Sequence, residues 1–388
     1  MQLSIIIVSY NVRALLAQCM ASIKTAAKNF EYEIIVVDNN SKDDSQTYFT
    51  TNNTGITFIW NKENLGFAKA NNIGLSLAKG SNILFLNPDT IVTQNCLEGC
   101  LDHLNATQNC GAVGVQMIDG AGCFLPESKR NIPGLLSSFF YFSGLSKLAT
   151  RSSFFNAYHA GNIPQDSKKE VPVLSGAFMM ARTEVIKKAG GFDPRYFMYG
   201  EDVDLSITIE KLGLKNWYLG DLKILHYKGE SSKEKNEKYY EIFFHAMKLF
   251  SKKHNGYWSG KMKSAFIEVT KNFYKLNYQL RKKSTINNSI IKHATVSVFC
   301  AESEQEKINA INFKNHFADK LSYLEEGNFS HNYNTAVIYS TTLHTYSSIV
   351  ESIAKTRSQY SIHIFDPEAG TIIGSNGKLS TAVILSLD

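Results

Sequence analysis

Two adjacent carboxylates, Glu201 and Asp202, follow a glycine inside the aromatic stretch YFMYGEDVDLSI at 196–207. Ionised carboxylates among apolar side chains are costly unless they are paired, hydrogen-bonded or bound to a cation. An apolar environment also raises the pKa of a carboxylate toward neutrality, which suits a general base. A structural alternative is also open, because acids in the first turn of a helix interact favourably with the helix dipole and the next residues have helical spacing.

Polar residues also stand directly after three buried apolar runs. The clusters are Ser9-Tyr10-Asn11, Asp38-Asn39-Asn40-Ser41 and Asn87-Pro88-Asp89. Their carboxylates, amides and hydroxyls are polar groups that a ligand site at these strand ends could use. Purely local roles remain open, because Ser and Asn also cap helices and form turns.

The apolar runs before these clusters predict the elements that position them. The predicted strands are 3–8, 33–37, 57–60 and 82–86, with helices at 12–27 and 66–79, a loop region at 125–170 and a buried strand pair within 172–182. Continuous apolar strands separated by helices are typical of a mostly parallel sheet covered on both faces. Since ligands bind at the carboxyl ends of strands in such sheets, the three clusters should meet at one edge.

Seven segments in residues 1–230 together resemble family 2 glycosyltransferases, and among them the rhamnosyltransferase-like enzymes. The segments are SIIIVSYN, IIVVDNNSKDDS, NLGFAKANNIG, ILFLNPDT, SGAFMMAR, GGFDPRYFMYGEDVDL and ILHYKG. Each segment alone is a weak signal, whereas their order is specific. The resemblance implies a GT-A fold, which is a Rossmann-like α/β fold of nucleotide-diphospho-sugar transferases with helices on both faces of a mostly parallel sheet.

The same resemblance implies roles for individual residues. Asp202 matches the base that takes a proton from the acceptor hydroxyl, and Glu201 would orient the acceptor or hold the helix start. Gly66 and Gly176 also fit plain structural roles in a turn and in close packing. The residues implied to line the nucleotide-sugar pocket are Ser9, Tyr10, Asn11, Asp38, Asn40, Asn64, Gly66, Phe67, Asn71, Asn87, Asp89, Ser175 and Gly176.

The segment LNPDT matches the metal-binding DxD motif of the family, with Asp89 as its last acid. Asn87 stands where the first aspartate of that motif would be, so it adds no charge and specifies the metal less tightly. The resemblance implies Mg²⁺ or Mn²⁺ on Asp89, with phosphate oxygens and water as further ligands. His226 matches a histidine that completes the metal shell in some members, although a structural histidine is equally open.

Residues 228–283 contain 14 Lys or Arg against 5 Asp or Glu, whereas the whole chain has a net charge of only +6. Aromatic residues at helical spacing accompany these cations. The segment predicts either a helix packed on the catalytic domain with a solvated basic face or a surface that contacts anionic lipid, and both can hold together. Nucleic acid is disfavoured as a partner, because no groove-reading or RNA-binding signature is present.

We expect three parts: a GT-A catalytic domain at 1–230, a basic aromatic helical segment and linker at 231–289, and a small α/β domain at 290–388. The last part has predicted strands at 294–300, 320–324, 335–340 and 361–365 and helices at 304–317 and 345–356. The six cysteines form no paired motif, no apolar run reaches membrane-spanning length, and the N-terminus lacks signal-peptide features. The expected location is the cytoplasm, with peripheral contact to the inner face of the cytoplasmic membrane through 231–283.

The sequence therefore predicts an inverting, metal-dependent glycosyltransferase. Its predicted donor is dTDP-rhamnose, and its acceptor is a hydroxyl of a polysaccharide or lipid-linked glycan. The alternatives are a transferase for another sugar nucleotide such as a UDP-sugar, a nucleotidyltransferase of the same fold, and a non-catalytic nucleotide-binding or scaffold protein. Asp38, Asp89 and Asp202 disfavour the last alternative, and we expect these three residues to converge on one cleft.

Overall fold

The computed structural model describes residues 1–52, 55–132, 160–227 and 237–254, and in the C-terminal part 295–300, 302–305, 308, 321–323, 335–356, 361–367, 371–375 and 382–386. These residues form two main sheets with helices packed against them. The first sheet lies within 1–227 and the second within 295–386. The predicted α/β class is therefore confirmed for both parts of the chain.

The elements of the N-terminal part follow one another in alternating order. They are β1 (Leu3–Ser9), α1 (Arg13–Ala26), β2 (Tyr32–Asp38), α2 (Ser45–Thr51), β3 (Thr57–Trp60), α3 (Phe67–Leu77), β4 (Asn82–Leu86), β5 (Thr90–Ile91), α4 (Gln94–Ala106), β6 (Cys110–Ile118), β7 (Lys129–Arg130), β8 (Lys168–Glu170), β9 (Val173–Leu174), β10 (Phe178–Arg182), α5 (Thr183–Ala189), α6 (Glu201–Lys211), β11 (Lys215–His226) and α7 (Glu237–Lys253).

The first sheet has the strand order β3-β2-β1-β4-β10-β6-β11-β5, and β8 also pairs with β11. The pairs β1–β2, β1–β4, β2–β3 and β6–β11 are parallel. The prediction of a mostly parallel sheet is confirmed, with one refinement: β10 runs antiparallel to β4 and β6, and β5 and β8 run antiparallel to β11. The register pairs Ser9 with Asp38 and Ile7 with Leu86, so the carboxyl ends of β1, β2 and β4 lie at one edge.

The strands are continuous apolar runs because the sheet is covered on both faces. Every residue of β1 is buried. Ile5 and Ile7 pack into the core formed with α1 and α4, while Ile6 packs into the opposite core formed with α5, α6 and α7. This alternation follows from the period-2 geometry of a strand, and it fixes the register that aligns the polar strand ends.

The packing of helix α7 agrees with one of the two predictions for the basic aromatic segment, namely a helix packed on the catalytic domain. Ala246 and Phe250 of α7 are buried in the core beside α6, and Phe244 is also buried. Asp204 of α6 is 1% exposed and accepts hydrogen bonds from Lys253 Nζ at 2.7 Å and His254 Nε2 at 2.8 Å. The rest of 228–283 lies outside the described residues. Among the helices that are described, none combines the length and apolarity that a membrane span requires.

The second sheet has the order β13-β12-β14-β15-β16-β17, in which the first four strands are parallel and the last two antiparallel. Its elements are β12 (Thr295–Phe299), β13 (Leu321–Tyr323), β14 (Thr335–Ser340), α8 (Tyr346–Thr356), β15 (Ser361–Asp366), β16 (Thr371–Ser375) and β17 (Ala382–Ser386). The four predicted strands and the predicted helix at 345–356 are confirmed, whereas β16 and β17 were not predicted. Most of the helix predicted at 304–317 lies outside the described residues, as does 133–159 of the predicted loop region.

The two sheets pack against each other through an apolar cluster. Leu15 of α1 and Leu225 of β11 lie in one cluster with Ile349 of α8 and Ile373 of β16. The hydroxyl of Tyr227, next to β11, donates to the backbone oxygen of Ile373 at 3.4 Å. The C-terminal sheet is thus attached to the strand that ends in His226.

Candidate active site

Asp38 is the last residue of β2 and one of the residues predicted to line the nucleotide-sugar pocket. The residue is 2% exposed. Its two carboxylate oxygens accept hydrogen bonds from Ser41, one from the backbone nitrogen at 2.8 Å and one from the hydroxyl at 2.6 Å. Burial raises the pKa of the Asp38 carboxyl, and the two Ser41 hydrogen bonds act in the opposite direction. These hydrogen bonds hold the turn from Asp38 to Ser41. Asp38 thus stays at the sheet edge where β1 and β2 end.

The loops after β1 and β2 form one unit. The backbone nitrogen of Asn11 donates to Ser41 Oγ at 2.8 Å, and Asn11 Oδ1 accepts from the Lys42 nitrogen at 2.6 Å. Asn11 and Asn40 adopt left-handed backbones with φ of 56° and 64°, which Asn tolerates better than most residues. Ser9 below them is fully buried, and its hydroxyl has no hydrogen-bond partner among the described residues. The predicted Ser9-Tyr10-Asn11 and Asp38–Ser41 clusters are thus neighbours in space.

Gly66 joins this unit to the 196–200 loop, which directly precedes the catalytic candidates Glu201 and Asp202 in α6. Its φ is 81°, and a Cβ atom there would lie 2.3 Å from the backbone oxygen of Phe197. The amide of Asn39 donates to Gly66 O at 3.2 Å, Asn64 Oδ1 accepts from the Gly66 nitrogen at 3.0 Å, and the Phe67 nitrogen donates to Phe197 O at 2.7 Å. Only glycine permits this close approach without displacing the 196–200 loop.

Asn71 is the predicted pocket residue with the clearest structural role. It is 1% exposed, and its amide donates to the backbone oxygen of Phe67 at 3.0 Å within α3. The next residue, Asn72, binds both the backbone oxygen and the nitrogen of Phe192, at 2.6 and 2.9 Å. These contacts hold α3 in place, and a ligand contact of Asn71 stays a prediction.

Asp202 lies in the first turn of α6 and is held from two sides. Its Oδ2 accepts hydrogen bonds from the Gly176 nitrogen at 3.0 Å and from the guanidinium of Arg130, and its Oδ1 accepts from the Val203 nitrogen at 2.8 Å. Arg130 also donates to Leu174 O at 2.9 Å. The side chains of Arg130 and Asp202 are 12% and 13% exposed, so this ion pair is poorly hydrated.

Arg130 was missed from the sequence. It lies in the region of weak periodicity and outside the seven recognisable segments. One signal could have pointed to it: a carboxylate with apolar neighbours requires a cation or several donors. The sequence did not show which of the many Lys and Arg residues supplies that charge.

Ser175 and Gly176 connect Asp202 to the end of β4. A Cβ atom on Gly176 would lie 3.2 Å from Asp202 Cβ and 3.6 Å from Phe67 Cε1, so the missing side chain leaves room where these residues meet. The backbone nitrogen of Asn87 donates to Ala177 O at 3.0 Å. A continuous series of contacts thus links Asp202 to the LNPDT segment.

Glu201 differs from the adjacent Asp202 in its hydrogen bonds and in its protonation state. It is 7% exposed, and its Oε2 atom has no hydrogen-bond partner among the described residues. Burial and the nearby charge of Asp202 raise the pKa of Glu201 from its ordinary 4.5 to about 8. Glu201 is therefore largely protonated at neutral pH and can donate a hydrogen bond through its carboxyl group.

Asp89 and His226 form a buried pair at the same edge. Asp89 Oδ1 and His226 Nε2 are 3.2 Å apart, and the two side chains are 5% and 7% exposed. The amide of Asn87 lies 3.5 Å from the same histidine nitrogen. Two ligands about 2.1 Å from one octahedral cation, at right angles, are about 3.0 Å apart, so the pair fits a shared divalent metal. Within the described ranges no group of three or more His, Cys, Asp or Glu could hold a metal, so further ligands would come from phosphate and water.

Contacts thus connect all three predicted aspartates along one edge of the first sheet. The series runs from Asp38 through the Gly66 turn to Gly176 and Asp202, and from there to Asn87, Asp89 and His226. An acidic, amide-rich site at the carboxyl ends of parallel strands is typical of proteins that bind nucleotides.

Residues 4–190 match the model of glycosyl transferase family 2. The chain is a glycosyltransferase, and the predicted mostly parallel sheet with helices on both faces is confirmed. This family 2 domain makes up just under half of the chain, and the curated relatives of the chain include rhamnosyltransferases.

Its relatives include the N-acetylglucosaminyl-diphospho-decaprenol L-rhamnosyltransferase of Mycobacterium tuberculosis, which is 24% identical over 67% of this chain and 88% of the relative. The rhamnosyltransferase WbbL of Escherichia coli is 28% identical over 42% of this chain and 61% of the relative.

Two solved structures are similar at low identity. TarS of S. aureus, residues 1–349, is 18% identical with a TM-score of 0.44, over 79% of this chain and 77% of that chain. The mannosyltransferase PcManGT from Pyrobaculum calidifontis, in complex with GDP-Man and Mn²⁺, is 16% identical with a TM-score of 0.47, over 73% of this chain and 76% of that chain. Both likenesses are weak.

The raised pKa of Glu201 predicts how stability depends on pH. Because the folded state holds this proton up to about pH 8 and the unfolded state releases it near 4.5, stability falls as pH rises through that window, by up to about 1.4 kcal/mol per pH unit. Glu201→Gln removes this dependence. Urea unfolding at about pH 5 and about pH 8 should show the wild type losing free energy of unfolding relative to the variant.

The matched control is Glu184→Gln, on the exposed start of α5. This variant should follow the wild type at both pH values. If the free energies of unfolding of the wild type and of Glu201→Gln differ by the same amount at both pH values, Glu201 is ionised in the folded protein and the prediction is contradicted.

Proposed function

We propose that this chain transfers rhamnose from dTDP-rhamnose, with inversion, to a hydroxyl of a lipid-linked glycan. The observation that supports this best is the series of contacts that joins Asp202, the base candidate, to the polar strand ends that we propose bind the nucleotide sugar. The names of the two rhamnosyltransferase relatives support the sugar. The name of the mycobacterial relative includes N-acetylglucosaminyl-diphospho-decaprenol, which supports a lipid-linked acceptor.

Asp202 is the general base in this proposal. The acceptor hydroxyl passes its proton to the Asp202 carboxylate while its oxygen attacks the anomeric carbon and the nucleoside diphosphate leaves. One direct displacement inverts the anomeric centre and requires no covalent nucleophile. Gly176 and Arg130 fix the orientation of Asp202 through Oδ2. Glu201, which is protonated, orients the acceptor by donating a hydrogen bond.

The donor occupies the edge between Asp38 and Asp89. Asp38 accepts hydrogen bonds from the ribose or base, beside Ser9, Tyr10 and Asn11. Asp89 and His226 would hold Mg²⁺ or Mn²⁺, which stabilises the charge of the leaving diphosphate as a Lewis acid. A UDP-linked sugar is the second candidate donor, since nothing in the Asp38 turn distinguishes the two pyrimidine bases.

Replacing Asp202 tests the proposed base. Asp202→Asn keeps the shape and can retain the Arg130 and Gly176 contacts through its amide oxygen, so donor binding should survive. Turnover should fall at least about 100-fold, as expected for loss of a general base. The assay is rhamnose transfer from dTDP-rhamnose to a polyprenyl diphosphate-linked N-acetylglucosamine, with donor affinity measured separately by calorimetry.

Asp102→Asn, on the exposed face of α4, is the matched control and should keep full turnover. Unchanged turnover in Asp202→Asn would remove this residue from the role of base.

The proposed location is the inner face of the cytoplasmic membrane, with peripheral contact through 231–283. In the described part of this segment, Phe244 and Phe250 are buried in the protein and do not face a membrane. The contact is therefore mainly electrostatic, from the Lys and Arg residues of 228–283 other than Lys253, which pairs with Asp204.

Vesicle sedimentation tests this contact. The protein should pellet with vesicles containing phosphatidylglycerol and not with pure phosphatidylcholine vesicles, and added salt should weaken the binding because it screens exposed charges. A variant with Lys282→Glu and Lys283→Glu should pellet less than the wild type. Equal pelleting with both vesicle types would remove the electrostatic contact.

A further inference from the structure

We propose that a cleft at the outer edge of the first sheet binds a neutral oligosaccharide, as the site for the extended part of the acceptor glycan. The inference rests on the proposed glycosyl transfer and names the acceptor class more closely. The cleft has a volume of about 910 Å³, which is near the upper end of ordinary ligand pockets. Its walls are the start of α4, the 122–124 turn after β6, residues 165–166, residues 221–223 of β11, and α8 of the second sheet.

The cleft lies where strand pairing is interrupted. On the side of β11 away from β6, β8 pairs with 217–219 and β5 pairs with 225–226. No described strand pairs with the residues between them, and the register against β6 shifts between Leu219 and Lys223. The segment 221–223 bulges into the cleft as a result and presents its side chains there.

The walls have the chemistry of a site for uncharged, hydroxyl-rich ligands. The ionisable side chains that line the cleft are three acids and two lysines, so their charges nearly cancel. The amides of Asn95 and Gln165 can both donate and accept, which matches the hydroxyl groups of a sugar. Phe124 and Leu222, which are half-buried, add apolar surface for the C–H faces of sugar rings. A strongly anionic ligand is disfavoured by the same near-neutral balance.

The cleft is also close to the proposed catalytic groups along the chain. Thr93 lies four residues after Asp89, Lys223 lies three residues before His226, and Phe124 lies six residues before Arg130. An extended residue spans at most about 3.5 Å, so these wall positions are within about 10 to 20 Å of the metal pair and of the Arg130–Asp202 pair. A linear glycan held in the cleft can therefore reach the acceptor position.

Helix α8 gives the second sheet a part in this site. Ser347, Glu351 and Lys355 line the cleft at successive intervals of four residues, which places them on one helical face. The opposite part of α8 is anchored, because Ile349 and Ile353 are buried in the cluster between the two sheets. The C-terminal sheet thus fixes one wall of the cleft against the catalytic part.

The test measures binding of defined oligosaccharides to the full chain by saturation-transfer NMR. The probes are neutral tetrasaccharides of rhamnose and N-acetylglucosamine, with a tetragalacturonate as the anionic comparison. The wild type should bind the neutral probes and not the anionic one. Ser347→Trp fills the cleft and should weaken neutral binding at least about tenfold. Glu351→Ala removes an exposed side chain that lines the cleft. It should also weaken binding of the neutral probes, although it does not fill the cleft.

Leu343→Trp is the matched control, because Leu343 is 54% exposed and lies outside the cleft. It should bind like the wild type. Absence of neutral binding in the wild type, preference for the anionic probe, or equal binding by wild type and both cleft variants would overturn the proposal.

Transfer assays separate this proposal from the proposed function. The cleft variants should transfer rhamnose to a single lipid-linked N-acetylglucosamine like the wild type and should lose the advantage of longer acceptors. If the wild type transfers no rhamnose at all, the rhamnosyltransferase function is contradicted, and the cleft is then judged by the oligosaccharide binding experiment. Normal transfer with no length preference in the wild type would overturn only the cleft.

Discussion

One positive charge is shared between two adjacent buried acids, and the chemistry of the site depends on this balance. Arg130 forms an ion pair with Asp202, whereas Glu201 is buried with a carboxyl oxygen that lacks a hydrogen-bond partner in the described structure. Two ionised carboxylates with one cation would leave an uncompensated buried charge, which is expensive. The lower-energy arrangement keeps the proton on Glu201, in agreement with its pKa of about 8. One acid is thereby available as a base and the other as a donor.

The antiparallel strand β10 brings the base and the strand-end cluster together. Because β10 runs against β4, its first residues lie beside the carboxyl end of β4. Gly176, two residues before β10, can therefore donate to Asp202, while Ala177 accepts from Asn87. A parallel strand in this position would carry Gly176 to the opposite edge. The direction of one strand thus decides whether residues far apart in the sequence meet.

Much of this arrangement was predictable from the sequence, for definite physical reasons. Strands β1, β2 and β4 are buried on both faces, so they read as continuous apolar runs with polar residues at their ends. The start of α6 at Glu201 was predicted from acids after a glycine. Strand direction carries no such periodic signal, so the antiparallel β5, β8 and β10 were not separable from parallel strands. The role of Arg130 depends on tertiary contacts that no local pattern encodes, whereas the proximity of Asp89 to His226 was implied by the family resemblance and not by any local pattern.

Crystals grown with dTDP and Mn²⁺ test most directly whether the three aspartates surround one donor. The anomalous signal of manganese should lie in contact with Asp89 Oδ1 and His226 Nε2, with the thymidine beside Asp38 and the diphosphate directed toward Asp202. Manganese bound away from this pair, or a nucleotide seated elsewhere such as the cleft beside α8, would contradict the convergence of these residues on a donor site.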